Sequence, residues 1–306
     1  MRLGPPITSR ANARVKELRS SLSGKASKPG DLLGLEGEHL IHEANIAGYN
    51  FETLYLREGT ALPNQLVTVR TQNWVVLSSD VFDSAVTTHS PQGIAATWVI
   101  TEPAPRIKMG RDALVLEQIQ DPGNLGTLMR SAEAFGFARV MVTPGTVNQW
   151  NPKVVRSGAG SVLRTPVLRA PIEEIAAQLK AEGIRIFAAV PHFTGKADRA
   201  APHGVLTGRI SNAQAPPGNR YNLPAGGGYP ASLSYDADFL RPCAILVGNE
   251  GAGLSPNALA LADEQVQIPG GGSESLNAAI AGSILMYEAM RQTTLRVWAR
   301  KQGLRP

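Results

Sequence analysis

The chain has a single cysteine, Cys243, so it can form no disulfide within itself and no multi-cysteine zinc site. No uninterrupted apolar run reaches the roughly eighteen residues that a membrane-spanning helix needs. The N-terminal stretch MRLGPPITSRANARVKELRSS is basic but lacks the apolar centre of a secretory leader. No Walker A sequence is present, and the glycine spacing of the dinucleotide fingerprint is missing as well. These absences argue against a secreted scaffold, a P-loop nucleotidase and a nicotinamide dehydrogenase, and the cytoplasm is the expected compartment. At 306 residues, two domains with separate cores are expected.

Charge is present but localised. Residues 1–30 carry Arg2, Arg10, Arg14, Lys16, Arg19, Lys25 and Lys28 against Glu17 alone, a net of +6. The whole chain nets +5, so the remainder is close to neutral. A second basic cluster, Arg291, Arg296, Arg300, Lys301 and Arg305, closes the sequence. Such segments on a near-neutral body suit a polyanion such as RNA, and equally a solvated, partly disordered tail.

The segment TEPAPRIKMG (residues 101–110), with two prolines and exposed charge, reads as a linker. Before it, LLGLEG, FETLYLRE and GIAATWVI suit strands, and EHLIHEANIAG suits a helix. After it, ALVLEQI, ARVMVT, RIFAAV, CAILVG and EQVQI read as strands. Helices are expected over NLGTLMRSAEAFG, IEEIAAQLKAEG and the run from Leu276 to about Arg300. Buried apolar strands alternating with helices predict an α/β fold with a parallel sheet covered on both faces. The stretch 193–238, rich in Gly, Pro, Ala and Asn, interrupts this rhythm and is expected to be a flexible insertion.

Three segments carry candidate chemistry, each at the C-terminal end of an expected strand, the edge where open α/β sheets bind ligands. In QIQDPGNLGTLMRSAEAFG, Asp121-Pro122-Gly123 makes a turn, Asn124 is placed to cap the helix, and Arg130 can reach past the strand end. Alone, these two residues also match an ordinary cap and a solvated arginine. In ILVGNEGAGLS, Gly248-Asn249-Glu250-Gly251-Ala252-Gly253 holds a carboxylate among glycines whose backbone can approach a ligand. In IPGGGSESLNAAIAG, Pro269 and three glycines turn the chain before Ser275, Leu276 and Asn277. These open a helix whose first amides are available to a polar ligand. A serine-capped core helix is the plain alternative.

In this order the three segments resemble the motifs of the SpoU (TrmH) RNA 2′-O-ribose methyltransferases of the SPOUT superfamily. NPKVVRSGAGSVLRTPV, from Asn151 to Val167, is similar to a further stretch of that family, and the resemblance covers Ala113 to Gln292 apart from the insertion. LEGEHLIHEANIAG and HSPQGIAAT resemble the small substrate-binding domain that many members carry, a fold related to an RNA-binding ribosomal protein. The resemblance implies an RNA-binding domain over 1–105 and a methyltransferase domain over 106–306 with a C-terminal trefoil knot. It also implies S-adenosylmethionine as methyl donor, RNA as substrate and a homodimer. It places Asn124, Arg130, Glu250, Ser275 and Asn277 in the catalytic set, and a mostly backbone cofactor pocket near Gly248, Ile268 and Leu276.

A guanidinium stays protonated at ordinary pH, so Arg130 is expected to grip phosphate and 2′-oxygen rather than act as base. Glu250 is expected to orient the motif loops, and Ser275 and Asn277 to position the nucleotide. No metal is called for, because a sulfonium methyl is already an activated electrophile. The extra N-terminal domain favours ribosomal over transfer RNA, and a non-catalytic RNA-binding relative is the remaining alternative. The third segment departs from the pattern, being about one residue shorter between Ile268 and Glu274, with glycines where larger residues are usual.

Overall fold

The computed structural model describes residues 4–101, 111–191, 231–239, 242–269 and 276–302. The chain runs α1 (Ala13–Ser21), β1 (Leu32–Glu36), α2 (Glu38–Ala47), β2 (Phe51–Arg57), β3 (Thr71–Leu77), α3 (Ser79–Ala85) and β4 (Ile94–Val99). There follow β5 (Ala113–Leu116), α4 (Pro122–Ala134), β6 (Arg139–Val142), α5 (Pro152–Ser157), β7 (Val167–Arg169), α6 (Ile172–Ala181) and β8 (Arg185–Val190). The last elements are β9 (Ser232–Leu233), β10 (Cys243–Val247), α7 (Pro256–Leu261), β11 (Glu264–Gln267) and α8 (Ala278–Lys301). They divide into two compact units: Met1–Met109 with Ile119–Ala134 and Val147–Val167, and Gly110–Gln118 with Phe135–Thr146 and Leu168–Pro306.

The first unit holds a four-stranded sheet in the order β1-β4-β2-β3. β4 runs antiparallel to β1 and β2, and β2 runs parallel to β3. The basic N-terminal segment is not a trailing tail. Asn12 caps α1 by accepting from the Arg14 amide at 2.9 Å, and the helix buries Val15, Leu18 and then Leu22 against Tyr55, Leu77 and Phe82. That i, i+3, i+7 spacing puts three apolar residues on one stripe and leaves the cations outside. Glu17 is drawn in as well, accepting from the Tyr55 hydroxyl at 3.0 Å. Burial and the neighbouring carboxylate together raise the Tyr55 pKa well above the ordinary phenol range.

The same unit takes in the 147–167 segment. Tyr49 donates to the Leu163 carbonyl at 3.0 Å, and its ring lies 5.0 Å from Trp98, which meets Trp150 edge-on at 5.9 Å. Asn148 donates to the Ala26 carbonyl at 2.9 Å. Aromatic pairs of this kind contribute about 1 kcal/mol beyond the area they bury.

The second unit holds a seven-stranded sheet in the order β7-β6-β5-β10-β8-β11-β9. Every pair from β6 across to β9 is parallel, with Ala113 opposite Ala244 and Cys243 opposite Arg185. β5 and β10 are buried along their whole length, as a strand between two covered faces must be. On one face α6 packs Ile172, Ile175 and Leu179 over Val115, Ile186 and Leu246.

The end of the expected flexible insertion belongs to this sheet. β9 pairs with β11, the Ser234 amide donates to the Gln267 carbonyl at 2.9 Å, and Phe239 packs on Phe187 at 4.7 Å. Its two strand residues sit in a glycine- and proline-rich sequence, so no apolar alternation announced them; residues 192–230 lie outside the described part. The closing helix starts at Ala278, not Leu276. It buries Ala279, Gly282, Leu285, Met286 and Ala289 on one side only, leaving Ile280, Ile284, Tyr287, Leu295 and Trp298 exposed. The C-terminal basic cluster is partly neutralised, since Arg291 pairs with Glu288 at 2.6 Å and Arg296 pairs with Asp238. No described helix is long and apolar enough to cross a membrane.

Candidate active site

β10 ends at Val247, and the chain folds back on itself at once. The Asn249 amide donates to the Gly253 carbonyl at 3.0 Å, and the Gly253 amide returns to Asn249 at 2.9 Å. The Asn249 side chain fills the turn, its Oδ1 accepting from the Gly251 and Ala252 amides, both at 2.9 Å. Each outer glycine has its own reason. A Cβ on Gly248 would lie 2.4 Å from the Gly253 carbonyl carbon, and Gly253 sits at φ +69°. The loop's own closure therefore demands these two glycines. Asn249 thus organises the turn from within, and Glu250 is exposed at its tip.

The loop is tied at both ends to the end of β5. Asn249 Nδ2 donates to the Gln118 carbonyl at 2.9 Å. Ser255 donates its amide to Glu117 Oε2 at 2.8 Å and its hydroxyl to Oε1 at 2.7 Å, while its Oγ also caps α7. Gln118 holds φ +53°, and its amide donates to Thr143 Oγ1 at 3.0 Å. Sequence reasoning missed Glu117, Gln118 and Ser255. The bonds that join them to the loop span 131 and 138 positions of the chain, beyond the reach of any local pattern.

Ile268 is half-buried just past the end of β11, in the strand order β10-β8-β11. Leu276 is 46% exposed. Asn277 is the cap of α8, its Oδ1 accepting from the Ala279 amide at 2.9 Å and the Ile280 amide at 3.2 Å. The helix is therefore capped by Asn277, two positions beyond Ser275, and two of the first amides that the sequence left available to a ligand are already satisfied. Ser275 and the triple glycine, 270–275, lie outside the described residues.

Asn124 and Arg130 belong to the first unit, on α4. Here too the cap differs from expectation. Pro122 occupies the first helical position, where its missing amide costs nothing, and Asp121 Oδ1 accepts from the Asn124 amide at 2.8 Å. Asn124 is thus inside the first turn rather than at its cap. Arg130 is exposed, and its side chain makes no hydrogen bond or ion pair among the described residues. Between them Gly126 permits the closest approach of α5, because a Cβ there would lie 2.6 Å from the Val154 carbonyl oxygen and 2.7 Å from the Gly158 amide. No group of three or more metal-ligating side chains occurs among the described residues.

A parallel α/β sheet with such a tethered glycine turn at a strand end has the layout of the α/β folds that bind ligands at that edge. Residues 112–208 and 218–287 match the SpoU rRNA Methylase family, and residues 12–96 match the MRM3-like substrate binding domain. The chain belongs to the SpoU rRNA methylase family. It is 30% identical to the 23S rRNA (guanosine(2553)-2′-O)-methyltransferase RlmP of Bacillus subtilis, over 92% of this chain and 97% of that one. A crystal structure described as an RNA 2′-O ribose methyltransferase superposes with a TM-score of 0.72 at 28% identity, covering 95% of this chain and all (100%) of that one. The SpoU methyltransferase AviRb from Streptomyces viridochromogenes, solved with AdoMet, shares the fold with a TM-score of 0.68 at 24% identity, over 92% of this chain and 99% of its own.

Proposed function

We propose that this protein transfers a methyl group from S-adenosylmethionine to a ribose 2′-hydroxyl of ribosomal RNA. The observation that carries the reading is the family match running through both the methyltransferase segments and the N-terminal substrate-binding domain, in one chain. Ribosomal RNA is favoured over transfer RNA because the relative RlmP, aligned over nearly its whole length, is a 23S rRNA enzyme.

The donor supplies an activated sulfonium methyl. The chain's own residues must hold it, orient the hydroxyl and stabilise charge on the 2′-oxygen. Main-chain groups of the Gly248 turn, with half-buried Ile268 and exposed Leu276, suit an adenosyl group taken by backbone and apolar contact. Arg130, exposed and without a partner among the described residues, is assigned the grip on the target phosphate and 2′-oxygen. Its planar fork offers two parallel donors to the developing alkoxide and keeps its charge throughout. Asn124, Glu250, Ser275 and Asn277 complete the proposed set, the last two positioning the nucleotide.

Residues 1–105 are assigned to RNA binding and 106–306 to catalysis, with a knotted C-terminal segment as elsewhere in the family. The protein is proposed to work in the cytoplasm as a homodimer. The exposed apolar stripe of α8 supports the dimer, since Ile280, Ile284 and Tyr287 lie on one side at 52%, 37% and 47% exposure. The deciding experiment maps 2′-O-methyl sites in total RNA from cells with and without the gene. Loss of one ribosomal site is expected, loss of a transfer-RNA site would redirect the reading, and an unchanged map would sink it.

A further inference from the structure

We infer that Glu117 is a positioning residue for the cofactor loop, acting from the end of β5 through Ser255, with Gln118 as its second tether. The inference rests on the reading that the Gly248–Ser255 loop holds S-adenosylmethionine. Four observations lead to it, all within the second unit.

Glu117 is buried, with 5% exposure, and makes no ion pair among the described residues. A carboxylate removed from water without a cation is costly, and an apolar residue at a strand end would ordinarily replace it. The site must therefore need an acceptor there. What it accepts is specific: both donors of one residue, the Ser255 amide at 2.8 Å and hydroxyl at 2.7 Å, one on each carboxylate oxygen. An acceptor-only group matches this pair; a glutamine would turn its own NH2 towards one of the two donors.

The other end of the loop is held by the very next residue. Gln118 accepts from Asn249 Nδ2 at 2.9 Å while its backbone stays in the left-handed region at φ +53°. A non-glycine residue there costs about 1–3 kcal/mol and persists only where its surroundings enforce it. Thr143, itself buried, does so through its Oγ1, 3.0 Å from the Gln118 amide. Two consecutive residues of one strand end thus clamp both ends of a loop whose middle is exposed. A loop that needed merely to connect β10 to α7 would not need a buried charge and a strained tether. A loop that must present its backbone to a ligand at fixed spacing does.

The test uses the full chain with S-adenosylmethionine in calorimetry, followed by methylation assays that vary donor and RNA separately. Glu117→Gln is expected to weaken donor binding about ten-fold or more and to raise KM for the donor in proportion. KM for RNA is expected to stay within about two-fold, a split that general loosening of the fold would not produce. Glu117→Asp, which keeps the charge but shortens the reach, is expected to fall between. Ser255→Ala, which removes one of the two bonds and also the cap of α7, is expected to show a smaller loss of donor affinity, and the double variant Glu117→Gln, Ser255→Ala to bind the donor about as well as Glu117→Gln alone although it melts lower. If Glu117→Gln does not fold, Ser255→Ala carries the test alone. Unchanged donor affinity in the folded variants, or an equal rise in KM for RNA, overturns the inference while the methyl-transfer reading stands. Failure of the unaltered protein to bind the donor overturns both.

Discussion

Arg164 clamps Glu133 of α4 with two prongs, its Nε 2.5 Å from one carboxylate oxygen and its Nη2 2.9 Å from the other. Ser161 adds a hydroxyl at 2.6 Å, and Glu43 of α2 takes another edge of the same guanidinium. One arginine therefore joins α4, the 161–164 turn and α2, three elements far apart in the sequence. Only about a quarter of each side chain in the Arg164–Glu133 pair is exposed, 24% and 27%.

Replacing Arg164 by Met leaves two carboxylates without their counter-charge. A loss of about 2 kcal/mol is expected, below the range for fully buried pairs because solvent screens this one. Burial alone would raise the Glu133 pKa, but the hydrogen bonds from Arg164 and Ser161 outweigh it and leave the carboxyl below its ordinary value. A depressed folded pKa means that the stabilisation is fully present above the unfolded value and disappears as pH falls through the folded one. Melting temperature should therefore be level at neutral pH and fall in acid, and Glu133→Gln should flatten that fall. Thermal melts of both proteins from neutral to acid pH check this, and parallel curves would be evidence against the linkage.

Gly248→Ala puts a methyl group where the Gly253 carbonyl carbon already sits, at 2.4 Å. Backbone cannot yield as a side-chain tip can, so the loop must open. Donor affinity is expected to drop at least about ten-fold, roughly 1.4 kcal/mol, by equilibrium binding. Gly251, with only Asn249 Oδ1 at 3.7 Å, is the internal control, and Gly251→Ala should cost the loop fold little.

Arg130→Lys keeps the charge but loses the fork. Methyl transfer is expected to fall about 10²–10³-fold, with melting temperature unchanged because the side chain is exposed. Near-full activity in single-turnover assays would refute the two-pronged grip.

Ile280→Lys together with Ile284→Lys places two charges on the exposed stripe of α8 without touching its buried side. Sedimentation should move from dimer to monomer while the far-ultraviolet circular dichroism is retained. A monomeric unaltered protein would remove the dimer from the proposal.

The central strands of the second unit were legible because ALVL and CAILV are uninterrupted apolar runs, while the short β7, α7 and β9 were not. β3 was not read: it lies at the edge of its sheet and only Leu77 of its seven residues is buried, so its sequence carries no firm alternation. The caps were misplaced by a few residues for a local reason. Asp, Asn and Ser crowd both helix starts, and any of them can accept the first free amides, so geometry decides which one does. The glycine turns could be seen in the sequence, but their cause could not. Gly248 is needed by Gly253, and the loop's shape by Glu117, a contact across 138 positions.

α1 has a consequence of a different kind. A polybasic tail must give up its conformational freedom when it meets a nucleic acid, and part of its attraction is spent on that ordering. Here Val15 and Leu18 have anchored the helix during folding, so Arg14, Lys16 and Arg19 sit on a framework of fixed pitch. A polyanion meeting this surface meets charges with defined spacing. The contact can then favour a backbone of matching shape, where a loose tail would answer to charge density alone.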